Sequence, residues 1–486
     1  MRSKLSLMDR AFFLTETNAS PKHVAGALEL SLPEGKDYRY FLSTVEKLKE
    51  FDKAEAPFNT KVNSFFKFAT SFKAVDKMDM NYHIKVHEID NMDEKECINN
   101  LIVDLHKKRL DTKKPLWQVH LIYSKSSNTI FLYVKIHHIY GDGITILSWM
   151  MKAFTPSKTE NLTPFWVVKH KFSNNNSSKL KERPIKLLMN IGVYFVDVFS
   201  LLLHNAYRMI KPNRTDNATP FSGQRTVLTG QVTAGRAVTT FKLPLPKVLV
   251  ACKLTRSTLN DFMLTAIDIA IHRFLKDHAH HGERFEKPLI CQMPVSLRTP
   301  GDKSEGNKIA IALVKMAHGR LDPYKRLRQI VNSSFLVKQE VKTYSPVAYT
   351  HVSLLSQTGA LICELLHLSD KIRPLGNLLV SNVPGPSVPL YFGDCKLNSI
   401  FPISTIAPGG GLNITLVTYN NEINVGLFCC NNKLDSLDPL IGYITDSLDL
   451  LIESINDPSI SIDDLGEKAK NENLTIVEDQ VEMKST

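Results

Sequence analysis

The run HHIYGDG at residues 137–143 places two imidazoles, a carboxylate and two glycines side by side. Imidazole is the side chain whose ordinary pKa lets it take up and return a proton near neutral pH, so a neutral histidine beside a reacting group can serve as a general base. The run closes a strand-like segment, TIFLYVKIHH (129–138). Alternation along that segment puts Leu132, Val134, Ile136 and His138 on one face and Phe131, Tyr133, Lys135 and His137 on the other. His138 falls on the more apolar face, where desolvation disfavours imidazolium and keeps the ring a proton acceptor. Asp142 and Gly143 follow where the chain must turn out of the strand. Gly141 and Gly143 free the backbone there, and Asp142 is suited to accept backbone N–H groups or to pair with an arginine. The pattern taken alone fits equally well two packed histidines beside a turn.

Other runs invite chemistry and do not sustain it. The histidines of DHAHHGE (277–283) sit in a polar loop where they are solvated, and no metal site is expected. APGGGLN (407–413) lacks the trailing GK[ST] of a phosphate loop and reads as a tight turn between strands. No GxSxG nucleophile elbow is present. The 7 cysteines, at 97, 252, 291, 363, 395, 429 and 430, are odd in number and form no CxxC pair, which points to a reducing compartment.

The elements that must position His138 begin with LWQVHLIY (116–123), which pairs with TIFLYVKIHH as a hairpin around the turn KSSN. Residues 155–183 are polar, Asn/Ser-rich and basic, the composition of a surface crossover. The segment 184–212 is densely apolar but carries Lys186, Asp197, His204 and Arg208. A central Asp is costly in lipid, which leaves a buried helix, an interfacial helix or, least favourably, a span. A strand over 235–245 then leads into a helix over 258–278, whose start is marked by Thr258 and Asp261 in capping-box spacing. Further strands follow at 288–298, 377–386, 401–420 and 422–430.

At 486 residues the chain exceeds one ordinary core, so two lobes are expected. The division read from composition is a first lobe over 1–155, a basic crossover and amphipathic helix over 156–234, a second lobe over 235–465, and a charged, disordered tail over 466–486. A net charge of +11 favours negative partners such as an anionic membrane face or a phosphorylated small molecule. No zinc-finger, RNP-like or helix-turn-helix signature accompanies the lysines, which argues against nucleic acid. The opening MRSKLSLMDRAFFL is interrupted by Asp9 and Arg10, so no signal peptide is read there.

HHIYGDG resembles the HHxxxDG motif of coenzyme A-dependent acyltransferases, and the wider context resembles the bacterial and plant-type wax ester synthase/diacylglycerol acyltransferase family. In order along the chain stand LSLMDRAFFLTET (5–17), PKHVAGALEL (21–30), LDTKKPLWQVHLI (110–122), HHIYGDG, ATPFSGQ (218–224), GRAV (235–238), TLNDFML (258–264), MPVSLR (293–298), GNKIAIALVKM (306–316) and VSNVPGP (380–386), each similar to a family landmark. Two departures stand out. FFKFATSFK (65–73) occupies the place of family arginines, and the Lys/Asn-rich stretch 168–183 looks like an elaboration.

The resemblance implies an α/β (α+β) fold like that of chloramphenicol acetyltransferase, with two lobes and a tunnel between them. It implies acyl transfer from acyl-CoA, the co-substrate with no other cofactor, to a fatty alcohol or diacylglycerol. The product would be a wax ester, a triacylglycerol or both. His138 would be the base, flanked by His137, Asp142 and Gly143, and Asn260 of the ND pair would donate to the oxyanion. Glu16, Trp117, Ser381 and Asn382 would lie near the substrates, with Arg298 the cation paired to Asp142. Attachment would be peripheral, on the cytoplasmic side of endoplasmic reticulum or lipid-droplet surfaces. The alternatives are the same fold acylating a small hydroxyl or amine metabolite, or a lipid-binding protein without catalysis.

Overall fold

The computed structural model describes residues 5–456 except 67, 91, 93–94, 171–183, 211–216, 279–285, 299–304, 431, 433 and 435, and excluding the side chains of 184–191. The loop DHAHHGE therefore lies mostly outside the described residues, as does the expected tail over 466–486.

The first lobe runs α1 (Leu7–Leu14), β1 (His23–Ser31), α2 (Tyr38–Lys49), β2 (Thr60–Phe65), β3 (Phe68–Ala74), α3 (Met80–His83), β4 (Ile84–Glu88), α4 (Lys95–Lys107), β5 (Trp117–Tyr123), β6 (Thr129–His137) and α5 (Gly143–Met151). A long helix, α6 (Pro184–Ile210), follows. The second lobe runs β7 (Ala237–Pro244), α7 (Leu245–Thr255), α8 (Leu259–Asp277), β8 (Ile290–Ser296), β9 (Ile309–Lys315), α9 (Pro323–Thr343), α10 (Pro346–Leu365), β10 (Leu378–Val383), β11 (Tyr391–Phe392), β12 (Cys395–Ile403), β13 (Leu412–Tyr419), β14 (Glu422–Cys429) and α11 (Asp438–Ile455).

Two six-stranded sheets organise these elements, in the orders β11-β12-β1-β6-β5-β4 and β7-β14-β13-β10-β8-β9, while β2 and β3 form a separate hairpin. The expected hairpin forms with Trp117 opposite Ile136. Residues 391–403 fall by position in the second lobe, yet β12 pairs antiparallel with β1, Ala25 opposite Ile403, and so joins the first sheet. No compositional signal marks such a crossing, because it satisfies the edge of β1 at long range.

Each lobe has its own apolar core. Alternation on β6 delivers Leu132, Val134 and Ile136 to the first-lobe core with Leu28, Phe58 and Trp149. The opposite face of β6 carries Phe131 and Tyr133 into a separate cluster with Ile102 and Ile122. In the second lobe α8 is buried almost all round, between the sheet and helices α9 and α11. Its start is the expected capping box, Thr258 accepting from the Asp261 N–H.

Helix α6 is covered on one side only. It rests on α10 through Tyr194, Val198 and Leu201, but its outer side leaves Phe195 and Phe199 each 64% exposed, with Val196, Leu203 and Ile210 exposed beside them. Among the described residues no helix is long and apolar enough to cross a membrane.

Candidate active site

β6 ends at His137, and His138 sits at the first position of the turn that leads into α5. The His138 N–H still donates to the Lys22 carbonyl at 2.9 Å, extending the pairing toward β1 and locking the backbone. The ring reaches the wall of a cavity of about 1700 Å³, open mouth included, that lies between the lobes. From the first lobe come Phe12, Val24, Gly26, His138, Gly143 and Met150; from the second come Ser296, Ile311, Leu361, Ser381 and Asn382. The lining is predominantly aliphatic with few polar groups, the usual make-up of a site for a largely apolar ligand.

His138 is buried and stacks flat on Phe12, centroids 4.0 Å apart and planes 14° from parallel. Burial pushes its pKa down to about 4, against the opposing pull of the Asp142 carboxylate. The ring is therefore neutral at physiological pH, as a base must be. Its Nδ1 lies 3.2 Å from the Asn307 Oδ1.

His137 points the other way and is fully buried. Its Nδ1 accepts from the Ile139 N–H at 3.0 Å, which puts the ring proton on Nε2, 3.6 Å from Glu16 Oε1. Glu16 in turn pairs with Arg109 at 2.7 Å. Burial alone would raise the Glu16 pKa, but His137 and the Arg109 guanidinium outweigh it and hold the carboxyl at about 2. Glu16 thus lies behind the turn rather than on the cavity, and its expected substrate contact is corrected to support of His137.

Asp142 is the N-cap of α5, its Oδ1 accepting the Thr145 N–H at 2.9 Å. Its other oxygen lies 2.9 Å from Arg298 Nη1 and accepts the Lys308 N–H at 3.2 Å. Arg298 also donates to the Thr145 hydroxyl and to the Gly306 carbonyl, each at 2.9 Å. The aspartate is a bolt between lobes, 1% exposed, at the edge of the cavity wall. Gly143 opens α5 on the cavity wall, where a Cβ would approach only Val383, at 3.5 Å.

Two expected site residues lie elsewhere. Asn260 is not among the residues lining the cavity, and its amide donates to the Met293 sulfur at 3.2 Å. Trp117 is 0% exposed in the first-lobe core, stacked on His83 and Trp166, with Nε1 donating to the Phe58 carbonyl. Ser381 and Asn382, near the end of β10, do line the cavity, and the Asn382 Oδ1 is buried without a partner. The described residues of FFKFATSFK fall at the end of β2 and along β3, and the cation beside Asp142 is Arg298. Ala407 and Pro408 of the glycine-rich turn also reach the cavity.

Sequence reasoning missed Asn307, Asp9, Phe12 and Lys22, all of which surround His138 or the cavity. Each lies within a quoted landmark, but nothing in spacing ties residue 307 to residue 138.

Comparison with known proteins agrees with this geometry along nearly the whole chain. Residues 5–263 match the wax ester synthase/diacylglycerol acyltransferase catalytic domain, and residues 305–452 match the C-terminal domain of the same family. The chain belongs to the wax ester synthase/diacylglycerol acyltransferase family. O-acyltransferase WSD of Acinetobacter baylyi is 26% identical over 456 residues, covering 91% of this chain and 95% of that protein. The probable diacylglycerol O-acyltransferase Tgs4 of Mycobacterium tuberculosis is 25% identical over 443 residues, covering 87% and 91%. The wax ester synthase/diacylglycerol acyltransferase of Marinobacter aquaeolei VT8 has the same fold, with TM-score 0.71, 21% identity, and 93% and 100% of the two chains covered. The first condensation domain of the CDA synthetase shares the two-lobed architecture at TM-score 0.58 and 12% identity, over 96% and 99%.

Proposed function

We propose that this O-acyltransferase moves a long-chain acyl group from acyl-CoA to a fatty alcohol or diacylglycerol, forming a wax ester or triacylglycerol. One observation carries the reading: a buried histidine stacked on Phe12 at the wall of a predominantly aliphatic cavity lined by both lobes. The His138 Nε2 takes the proton of the alcohol hydroxyl as its oxygen attacks the thioester carbonyl. The tetrahedral intermediate collapses with cleavage of the C–S bond, and the departing thiolate takes the proton back from His138. No acyl-enzyme forms, and acyl-CoA enters as co-substrate with no further cofactor. Ser381 and Asn382 replace Asn260 as candidates to steady the oxyanion, since they share the cavity with His138.

The aliphatic lining favours long chains, because each buried methylene contributes about 0.8 kcal/mol, roughly fourfold in affinity. The protein would work peripherally at the cytoplasmic face of a lipid surface, endoplasmic reticulum or lipid droplet. The exposed apolar side of α6 and the net charge of +11 support that placement. The test is transfer of labelled palmitate from palmitoyl-CoA to hexadecanol and to diolein. His138→Ala should lose at least about a hundredfold in kcat, and wild-type turnover by that variant would refute the assignment of the base.

A further inference from the structure

The ring of His138 can act as described only if Nε2, and not Nδ1, carries the lone pair that faces the substrate. Two acceptors hold Nδ1: the residue's own backbone carbonyl, and an amide on the other lobe that also grips that carbonyl. Asn307 Nδ2 donates to the His138 backbone carbonyl at 2.6 Å and to Asp9 Oδ1 at 2.9 Å. Two acceptors fix that end of the amide as the nitrogen, because a flipped amide would set its oxygen against a carbonyl and a carboxylate. The other end is therefore Oδ1, an acceptor only, and it lies 3.2 Å from His138 Nδ1. A contact between Nδ1 and an acceptor requires the proton on Nδ1. Nε2 is then the ring nitrogen left with no partner among the described residues, on a ring that lines the cavity.

We infer that Asn307 is a positioning residue: its amide grips the carbonyl and the ring of His138 together, sets the tautomer, and completes the base only when the second lobe and α1 are both docked on the first. The inference rests on the assignment of His138 as the base.

The surroundings fit an assembled clamp. Asp9 is itself fastened by the α1 capping box, where its Oδ2 accepts the Ser6 N–H at 2.7 Å. The same helix supplies Phe12, whose face holds the imidazole flat. On either side of Asn307 the segment is pinned to the first lobe. Glu305 accepts from Trp149 Nε1 at 2.8 Å, and Lys308 N–H donates to Asp142 at 3.2 Å. The charged and titratable groups around the imidazole are thus Asp9 from α1, His137 behind the turn, the Asp142–Arg298 pair at the start of α5, and Lys22 along the cavity.

Two variants test the inference in the palmitoyl-CoA assay, read as initial rates after a pH jump, with thermal melts to establish folding. Asn307→Ala removes all three hydrogen bonds and leaves Nδ1 only the residue's own, no longer gripped, carbonyl; kcat should fall about tenfold or more, with KM for both substrates within about twofold. Asn307→Asp keeps an acceptor at Nδ1 but sets an oxygen against Asp9, so it is paired with Asp9→Asn, which returns a donor there; with the charge now beside Nδ1, the acid limb of kcat/KM should move up by about one pH unit or more. A residue that merely packed the lobes together would lower the melting temperature without moving that limb. The inference is overturned if folded Asn307→Ala turns over within twofold of wild type, or if the limb of the paired Asp9→Asn, Asn307→Asp variant stays where it is. A wild-type rate for His138→Ala would instead sink the assignment of the base itself.

Discussion

The sharpest consequence of the site concerns pH. An ordinary imidazole, with pKa about 6.5, is about 24% neutral at pH 6.0 and about 97% neutral at pH 8.0, so a base in water would slow about fourfold between those values. Burial against Phe12 and the lobe interface brings His138 to about 4. It is then about 99% neutral at both pH values, and kcat at saturating palmitoyl-CoA and hexadecanol should change by less than about 1.3-fold. The rates must be taken as initial velocities within seconds of a jump from pH 8.0 to 6.0, before slow acid unfolding contributes. A reversible fourfold loss at pH 6.0, following a single ionisation near 6.5, would show that the ring is solvated in the working enzyme. The reasoning from burial to neutrality to base would then be wrong.

Other outcomes follow from the same geometry. Burial lowers His83 to about 4 and His120 to about 2, and with His138 each is neutral in the folded chain but charged when unfolded below about pH 6.5. Their stabilisation is present above that pH and is lost as pH falls toward the folded values. At pH 5 the three together should cost about 6 kcal/mol, a large share of a typical domain's stability, visible as a urea midpoint that falls steeply between pH 6.5 and 5. Arg298→Ala leaves the buried Asp142 without its cation and should destabilise by about 3 kcal/mol in urea unfolding, with His138 turnover falling as the lobes loosen. Gly26 lines the cavity, and a Cβ there would stand 2.8 Å from the Met150 methyl. Gly26→Val should shift the preferred donor from palmitoyl-CoA toward shorter chains in a competition assay, at roughly fourfold per excluded methylene. Replacing the exposed Phe195 and Phe199 of α6 by serine should reduce co-sedimentation with anionic vesicles while leaving the melting temperature within about 2 °C.

Much of the architecture was legible because it is local. Period-two alternation in TIFLYVKIHH decides which of its side chains face the core, and the Thr258–Asp261 spacing decides where α8 starts, without help from distant parts of the chain. The amphipathic run of α6 was visible, but its exposure was not, because a helix dense in Phe, Val and Leu has the same pattern whether a neighbour covers its outer side or not. Asn260 and Trp117 illustrate a second limit. Both stand in recognisable segments, yet the orientation of α8 and the depth of β5 point their side chains at Met293 and into the first core.

What the amino-acid order settles unaided is the kind of chemistry at hand: an imidazole at the end of an apolar strand, a carboxylate placed to cap the next helix, and the succession of landmarks shared with the family. Only the folded molecule decides how that imidazole is used. Its neutrality comes from enclosure between two lobes, its tautomer from its own carbonyl and an amide 169 positions away that grips both, and the first sheet from a strand that returns from the far end of the chain. Desolvation and hydrogen bonding act through space, and the one-dimensional order of residues does not contain those distances.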